Sequence, residues 1–319
     1  MIISQTPVRL SFLGGNTDFR EYYLNYGGKV IATTIDKYIY CIVKKRFDDL
    51  IYVNYMEKEM VEWVCDLKHD IVRECLKWVG IEKGIEISFL ADIPAQGSGL
   101  GSSSSLTVGL LNALHAYLGE NVSSNLLVKE AVMIELDILK RHGGVQDQLI
   151  AVLGGLRLLE FNTGGEFIGR RIEMKEKEDF NNSLMLFYTG VTRKTDKILS
   201  KFDVSKNLPL LHQKKLLVED GVTALLKGDL TKFGELLNFN WTAKNLLGDS
   251  DNNKAIESMR EKAMKAGAIG VKLIGAGGGG FLLVMFPANK RTIIREALKD
   301  YKEMPFRFVD FGSRIILNI

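Results

Sequence analysis

The residues with the clearest chemical potential are Pro94-Ala95-Gln96-Gly97-Ser98-Gly99-Leu100-Gly101-Ser102-Ser103-Ser104-Ser105, set between a strand-like run and an apolar run of helical spacing. Glycines let backbone N–H groups turn inward, and the N-terminus of a following helix adds partial positive charge. Such a turn is an anion cradle, and its hydroxyls can meet phosphate oxygens or a hydrated Mg²⁺. A flexible linker has the same composition, but a linker is not set between a strand and a helix. Two familiar nucleotide motifs do not fit: no Gly-Lys-Ser/Thr ending follows these glycines, and Ser102 stands where the dinucleotide fingerprint needs glycine. Asp310-Phe311-Gly312 matches a protein-kinase triplet, but no His-Arg-Asp loop precedes it and the chain that follows is too short for an activation segment.

Two more groups of residues could act with that turn. In Pro7-Val8-Arg9-Leu10-Ser11-Phe12-Leu13-Gly14-Gly15-Asn16-Thr17-Asp18, a period of two puts Val8, Leu10 and Phe12 on one face and Arg9 on the other. An arginine inside a strand needs a partner, and a phosphate or carboxylate would serve. The strand ends in a glycine turn presenting Thr17 and Asp18. Further on, a helical stretch carries Glu135, and His142-Gly143-Gly144-Val145-Gln146-Asp147-Gln148 presents a second carboxylate. Paired acids suit Mg²⁺ ligation beside a proton acceptor. Read singly, Glu135 is a solvated helix residue and Asp147 a helix cap.

The elements that must hold these residues are legible as alternating short segments. Val8 to Phe12, Lys29 to Thr34, Tyr38 to Lys45 and Ile85 to Ile93 read as strands. Asp66 can cap a helix with an apolar stripe through Ile71, Cys75 and Val79, ended by Gly80. Further helices are expected over about 104–118 and 124–141, then a hairpin of 155–161 with 167–173. The charge run Lys175-Glu176-Lys177-Glu178-Asp179 marks a boundary between domains 1–175 and 176–319. Beyond it come a strand at 184–188, helices over about 193–266, strands at 269–274 and 280–286, a helix near 289–301 and a last strand near 306–317. Strands and helices alternate without a steady βαβ rhythm, which favours α+β over a doubly wound sheet.

Composition narrows the function classes. The 319 residues carry 42 basic and 39 acidic side chains, a net +3 that argues against a nucleic-acid or membrane-surface protein. Three scattered cysteines indicate neither a disulfide frame nor a zinc site, and no apolar run reaches a membrane span. No signal-peptide core opens the chain, so a cytoplasmic protein is expected.

Together the groups resemble the GHMP kinases (galactokinase, homoserine kinase, mevalonate kinase, phosphomevalonate kinase). Three blocks occur in order: Pro7 to Asp18, Pro94 to Ser105, and Lys272-Leu273-Ile274-Gly275-Ala276-Gly277-Gly278-Gly279-Gly280-Phe281. Leu13 to Phe19, Gly27 to Ile31 and Gly144 to Gln148 bring the likeness nearest to the members acting on heptose 7-phosphates and to fucokinase domains. The Glu-His of the galactokinase turn is replaced here by Gly15-Asn16.

The resemblance implies a two-domain α+β fold, a ribosomal-S5-like N-terminal domain on a ferredoxin-like C-terminal one, with ATP in the cleft. It implies Mg²⁺- and ATP-dependent phosphorylation of the anomeric hydroxyl of a sugar phosphate, a heptose 7-phosphate giving the 1,7-bisphosphate. By the same likeness Pro94 and Gly97 to Ser104 hold the triphosphate, and Ser103 (or Ser102) and Glu135 hold Mg²⁺. Asp147 receives the acceptor's proton, Arg9 offsets charge on the transferring group, and Asn16, Thr17, Asp18, Gly144, Gly277 and Gly278 face the acceptor. Arg193 is the expected clamp for the acceptor's own phosphate, with Arg20, Lys29 and Arg141 as the other cations in reach. Two readings compete: another small-molecule kinase of the family, of fucokinase or galactokinase type, and a non-catalytic nucleotide-binding or RNA-associated module; Arg9, Glu135 and Asp147 occurring together favour an enzyme over the module.

Overall fold

From Thr6 onward every residue of the first strand, β1 (Ile2–Leu13), is buried, so both of its faces are covered and Arg9 lies inside the protein. This computed structural model describes residues 1–94, 97–191, 202–244, 250–275 and 279–319. β1 pairs antiparallel with β2 (Gly28–Lys45), one strand of 18 residues where the sequence suggests two. No glycine or proline interrupts Ile35-Asp36-Lys37, and β2 stays extended because three strands share its other edge, one of them returning from near residue 308 to pair with Thr34 and Ile35. β6 (Arg157–Phe161) pairs with its start and β5 (Ile85–Ala91) with its end. The β1–β2 register slips between Pro7 and Arg9, and an irregularity of this kind re-aims a side chain.

The sheet has nine strands. A hairpin absent from the sequence expectations, β3 (Ile51–Asn54) with β4 (Lys58–Val61), extends it beyond β5, and β7 (Phe167–Arg171) completes the expected hairpin with β6. From the far end of the chain, β11 (Phe308–Val309) and β12 (Arg314–Asn318) return to pair with β2 and β1.

A short helix, α1 (Arg20–Tyr26), follows the Asn16 turn; the sequence reading does not include it. Helix α2 (Asp70–Val79) is capped by His69, which accepts the Val72 N–H, and not by Asp66, which lies in a separate 3₁₀ turn over Val64–Asp66. Gly80, left-handed, ends it as expected. Helix α3 (Ser102–Tyr117) begins two residues earlier than expected, lies along β1 and β2, and touches α2, α4 (Ser124–Val132) and α5 (Gln146–Leu153). The expected single helix over 124–141 widens after α4 into a π-helical turn, Met133–Ile138, and stops before Lys140, whose φ is 53°. Such bulges often occur at functional sites.

The second sheet runs in the order β8 (Leu184–Tyr188), β10 (Phe281–Met285), β9 (Gly270–Leu273), all antiparallel. Its strands are buried on both faces and apolar apart from Lys272 of β9 and Tyr188 at the end of β8. Leu184, Leu186, Phe281 and Leu283 join the large core under the first sheet. Met185, Phe187, Leu282 and Val284 face away, onto Ile256 and Met259 of α9 (Ser250–Lys265) and Ile294 of α10 (Arg291–Ala297). Helices α7 (Leu208–Lys227) and α8 (Leu230–Lys244) pack between the sheets, α7 against β1 and β2, α8 against β9. Phe12 of β1 meets Phe180 of α6 (Lys177–Asn182) at 5.4 Å and Phe233 of α8 at 5.7 Å, an aromatic joint across the halves.

The helices that carry the phosphate loop and Glu135 are clamped at His115. Its ring nitrogens lie 2.6 Å from Glu120 and 2.7 Å from the buried Glu130 of α4. Burial pushes the imidazole's pKa down, but the two carboxylates outweigh it and hold the pKa above its ordinary value. Folding therefore favours the protonated ring, so the contribution is full below about pH 6.5 and fades as pH rises through the raised value. His115→Gln is expected to cost more stability at about pH 5.5 than at about pH 9 in urea unfolding. Equal losses at both would show that the clamp is not charged.

Candidate active site

Arg9 joins three segments. Its Nε and Nη2 donate to the two oxygens of Asp147, at 2.7 and 2.6 Å, while Nη1 donates to the carbonyl of Gly99. The Arg9 backbone N–H donates to Leu100 O at 2.9 Å. The fork geometry of arginine suits this bidentate pairing, and the pair is only 7% and 22% exposed at its two side chains. Asp147 stands in the first turn of α5 with Val145, not Asp147, in the cap position. A Cβ on Gly101 would lie 3.2 Å from Asp147 Oδ2, so the carboxylate borders the N-terminus of α3. Gly101 caps that helix with no side-chain bond, leaving its first N–H groups for an anion. Ser98 is buried, its Oγ accepting the Leu100 N–H, and Pro94 lies exposed at the loop's edge.

The two glycine loops touch backbone to backbone. A Cβ on Gly99 would lie 2.4 Å from Ile274 O, and one on Gly275 would lie 2.5 Å from Gly99 Cα. On the other side of the contact, buried Lys272 donates to Ser11 O and to Phe12 O at 2.6 Å, fastening β9 to β1. Gly277 and Gly278, expected at the acceptor, and Arg193, the expected phosphate clamp, lie outside the described residues.

Glu135 is fully buried in the π turn, which aims it at the start of α3. Its Oε2 accepts from Ser104 at 3.2 Å and Ser103 at 3.4 Å, while Oε1 is buried with no hydrogen-bond partner. Burial raises the Glu135 pKa, against the pull of the Arg141 charge. Arg141, which sequence reasoning placed near the acceptor, instead binds Ser103 and both oxygens of Asp70, so it flanks the phosphate loop. The orphaned Oε1 and the Ser103 hydroxyl fit a hard divalent ion. Mg²⁺ commonly combines one or two carboxylates with phosphate oxygens. Among the described residues no three His, Cys, Asp or Glu form a protein-only metal cage. An ion here would draw its remaining ligands from a bound phosphate and water.

On the far side of Asp147 lies a second buried carboxylate. Asp18 accepts the N–H of Asn16 at 3.0 Å and that of Gln146 at 3.2 Å. Burial, with the nearby charge of Asp147, pushes its pKa up to about 6. A Cβ on Gly144 would fall 1.9 Å from Asp18 Oδ2, so only glycine lets these two segments meet. Asn16 holds the turn with a φ of 76°, a conformation asparagine tolerates better than most residues. The Thr17 hydroxyl is occupied in holding this turn: it is buried 2.8 Å from Gly14 O and 2.9 Å from Lys29 O, and accepts the Lys29 N–H.

Two of the other expected cations are paired at the surface, Arg20 bidentate with Asp137 and Lys29 with Glu219 at 2.9 Å. Sequence reasoning missed Lys214 of α7, 2% exposed, whose Nζ reaches Asn16 Oδ1 at 3.3 Å and Gly15 O at 3.5 Å. Burial pushes its pKa down to about 8, opposed by the charge of Asp18. In a sequence it is one of two adjacent lysines on an amphipathic helix, and nothing marks it.

Both halves of the chain are similar to known proteins. Residues 64–155 match the GHMP kinases N terminal domain and residues 222–303 the GHMP kinases C terminal domain. A D-glycero-alpha-D-manno-heptose 7-phosphate kinase of Campylobacter jejuni is 29% identical over 316 residues, 93% of each chain. A mevalonate kinase of Pyrococcus horikoshii is 28% identical, over 91% of this chain and 82% of its own. Among solved structures, a D-glycero-D-manno-heptose 1-phosphate kinase from Bacteroides thetaiotaomicron superposes with a TM-score of 0.83 at 25% identity, covering all of both chains.

Burying Glu135 with one oxygen unsatisfied opposes folding whenever it is charged. Its folded pKa is raised, so the fold binds more protons than the unfolded chain and loses stability as pH rises through that range. Glu135→Gln is therefore expected to melt above the wild type at about pH 8 without added ligands, with the gap narrowing towards about pH 4. An unchanged melting temperature at the higher pH would contradict a strained carboxylate.

Proposed function

The chain belongs to the GHMP kinase family of ATP-dependent kinases, and from that premise we propose that it transfers the γ-phosphoryl group of ATP to the anomeric hydroxyl of D-glycero-D-manno-heptose 7-phosphate. The product is the 1,7-bisphosphate, a precursor for nucleotide-sugar synthesis in the cytoplasm. The observation that carries the reading is the position of Asp147, against Gly101 at the start of α3 and near enough to the buried Asp18 carboxylate to raise its pKa. One carboxylate thus faces both a phosphate site and a site with an acceptor for hydroxyl hydrogens. The identity of the sugar draws support from the two heptose phosphate kinases among the relatives, whose names differ in the position of the acceptor's phosphate.

The residues have separable tasks. The N–H groups at the start of α3 and the Ser102 and Ser103 hydroxyls hold the phosphates. Ser103 and Glu135 would hold Mg²⁺, which offsets phosphate charge when bound with ATP. Arg9 fixes Asp147 through two bonds and keeps a guanidinium beside the transferring group, where negative charge must be offset. Asp147 orients the acceptor hydroxyl and receives its proton as transfer proceeds. Asp18 and Asn16 hold neighbouring hydroxyls of the sugar. Residues 1–175 are read as the ATP-binding domain and 176–319 as the second domain, whose last strands return to the first sheet.

ADP release assayed over heptose 7-phosphate, fucose, galactose, mannose and mevalonate tests the substrate; preference for any of the last four would overturn it. Asp147→Asn should lower turnover about 10²–10⁴-fold with ATP affinity nearly unchanged, the usual span for removing a general base. Turnover within about threefold of wild type would remove Asp147 from the chemistry. Because Asp18 must be ionised to accept two hydroxyl hydrogens, kcat/KM for the acceptor is expected to fall as pH drops through about 6, and Asp18→Asn should abolish that limb.

A further inference from the structure

Lys214 is a buried cation that the catalytic roles leave unused. Its ammonium has three donors, yet it meets only two neutral oxygens, at 3.3 and 3.5 Å, and among the described residues no carboxylate comes within ion-pair distance. An ammonium taken out of water to make long, neutral contacts opposes folding unless a charge nearby compensates. The Asn16 whose side chain it contacts donates its backbone N–H to Asp18 Oδ1 at 3.0 Å, so the near charge is that of Asp18.

The helix carrying it is fixed against α1 and the start of β2, which follow the Asn16 turn, and against Gly14 at its entry. His212 Nδ1 lies 2.8 Å from the Tyr22 hydroxyl, Lys215 donates to Tyr26 O at 2.6 Å, and Glu219 pairs with Lys29. Val218 closes on Gly14, where an added Cβ would lie 2.7 Å from its Cγ2. So α7, from the second half of the chain, delivers one positive charge to the back of a turn whose front carries Asp18.

We propose that Lys214 is a positioning residue for the acceptor: it sets the Asn16 side chain through Oδ1 and holds Asp18 in the charged form that accepts the acceptor's hydroxyl hydrogens. The inference rests on the reading of Asp18 as an acceptor-binding group, not on which sugar is bound. The charged and titratable groups around the pair are few. Asp147, itself tied to Arg9, faces Asp18 from α5, and Tyr23 faces it from α1; His212 with Tyr22, Lys215 with Tyr26 O, and Glu219 with Lys29 flank Lys214 on its helix.

A carboxyl titration followed by ¹³C NMR in aspartate-labelled protein reads the Asp18 charge without any acceptor, with Asp18→Asn assigning the signal. In Lys214→Met, the Asp18 midpoint should move up by about one pH unit, because an opposite charge nearby favours the ionised form. With whichever acceptor the panel identifies, the same variant should raise acceptor KM about 10–100-fold while ATP KM and kcat stay within about threefold. Lys214→Arg, which keeps the charge, should recover most of the acceptor affinity. An unmoved Asp18 midpoint, or equal weakening of both substrates, overturns the proposal. A shifted midpoint without turnover on any panel sugar leaves it standing and overturns the substrate assignment instead. Should Lys214→Met fail to fold, the wild type decides: acceptor KM must rise as the ammonium loses its proton above about pH 8, and a flat profile from about 7 to 9.5 rejects the role.

Discussion

The guanidinium of Arg9 lies where three segments of chain meet, and its bonds leave each segment one position. The strand supplies the side chain, the glycine loop offers the Gly99 carbonyl (with Leu100 O accepting the Arg9 backbone N–H), and α5 offers both oxygens of Asp147. Each is a charged or backbone group taken out of water, so none can lose its partner cheaply. A displacement of the loop would strand carbonyls and guanidinium together. The distance between the Gly97–Gly101 loop and the Asp147 carboxylate is thereby set by one side chain. For phosphoryl transfer, which depends mainly on position and charge, that distance is the quantity the fold has to control.

The rest of the architecture keeps those three segments from drifting. The glycine loops from the two halves of the chain pack at backbone contact, closer than any side chain permits at Gly99 or Gly275. Lys272 fastens β9 to the carbonyls of Ser11 and Phe12, and Phe12 itself packs into the aromatic joint with Phe180 and Phe233. β12 closes the circuit by pairing with the start of β1. The site lies at a junction rather than in one half, so the two halves cannot separate without exposing apolar surface and unpairing buried polar groups.

Legibility in the sequence followed the range of the interaction. β8 and β10 were readable because a strand covered on both faces writes its burial as a local apolar run, and the Val8–Phe12 stretch of β1 by its alternation. The unbroken β2 was not, because what holds Asp36 and Lys37 extended is pairing with distant strands. Nor could the π turn be read: spacing alone shows Glu135 on a helix, and only the widened turn aims it at Ser103 and Ser104. Arg9, Asp18, Asp147 and the serines were legible because glycine turns mark where chain approaches chain. Thr17 has the chemistry of a ligand-binding hydroxyl, yet folding consumes it in holding its own turn. Lys214 is the opposite case, a residue with a surface lysine's sequence context and an interior position, whose partners stand about two hundred residues away.

These placements share an energetic logic. Asp18, Glu135 and Lys214 each have a pKa moved towards the neutral form by burial, so each opposes folding when charged. A chain selected for stability alone would fill those positions with apolar side chains of similar size. What the buried charges supply is an environment already arranged for a charged ligand: side chains are desolvated and held in place, and Glu135 Oε1 is left without a hydrogen-bond partner. Ligands that satisfy those groups bind the folded chain and not the unfolded one, so part of the protein's stability should reside in its substrates. The cost of the empty site and the readiness of the filled one are then the same free energy, measured before and after binding.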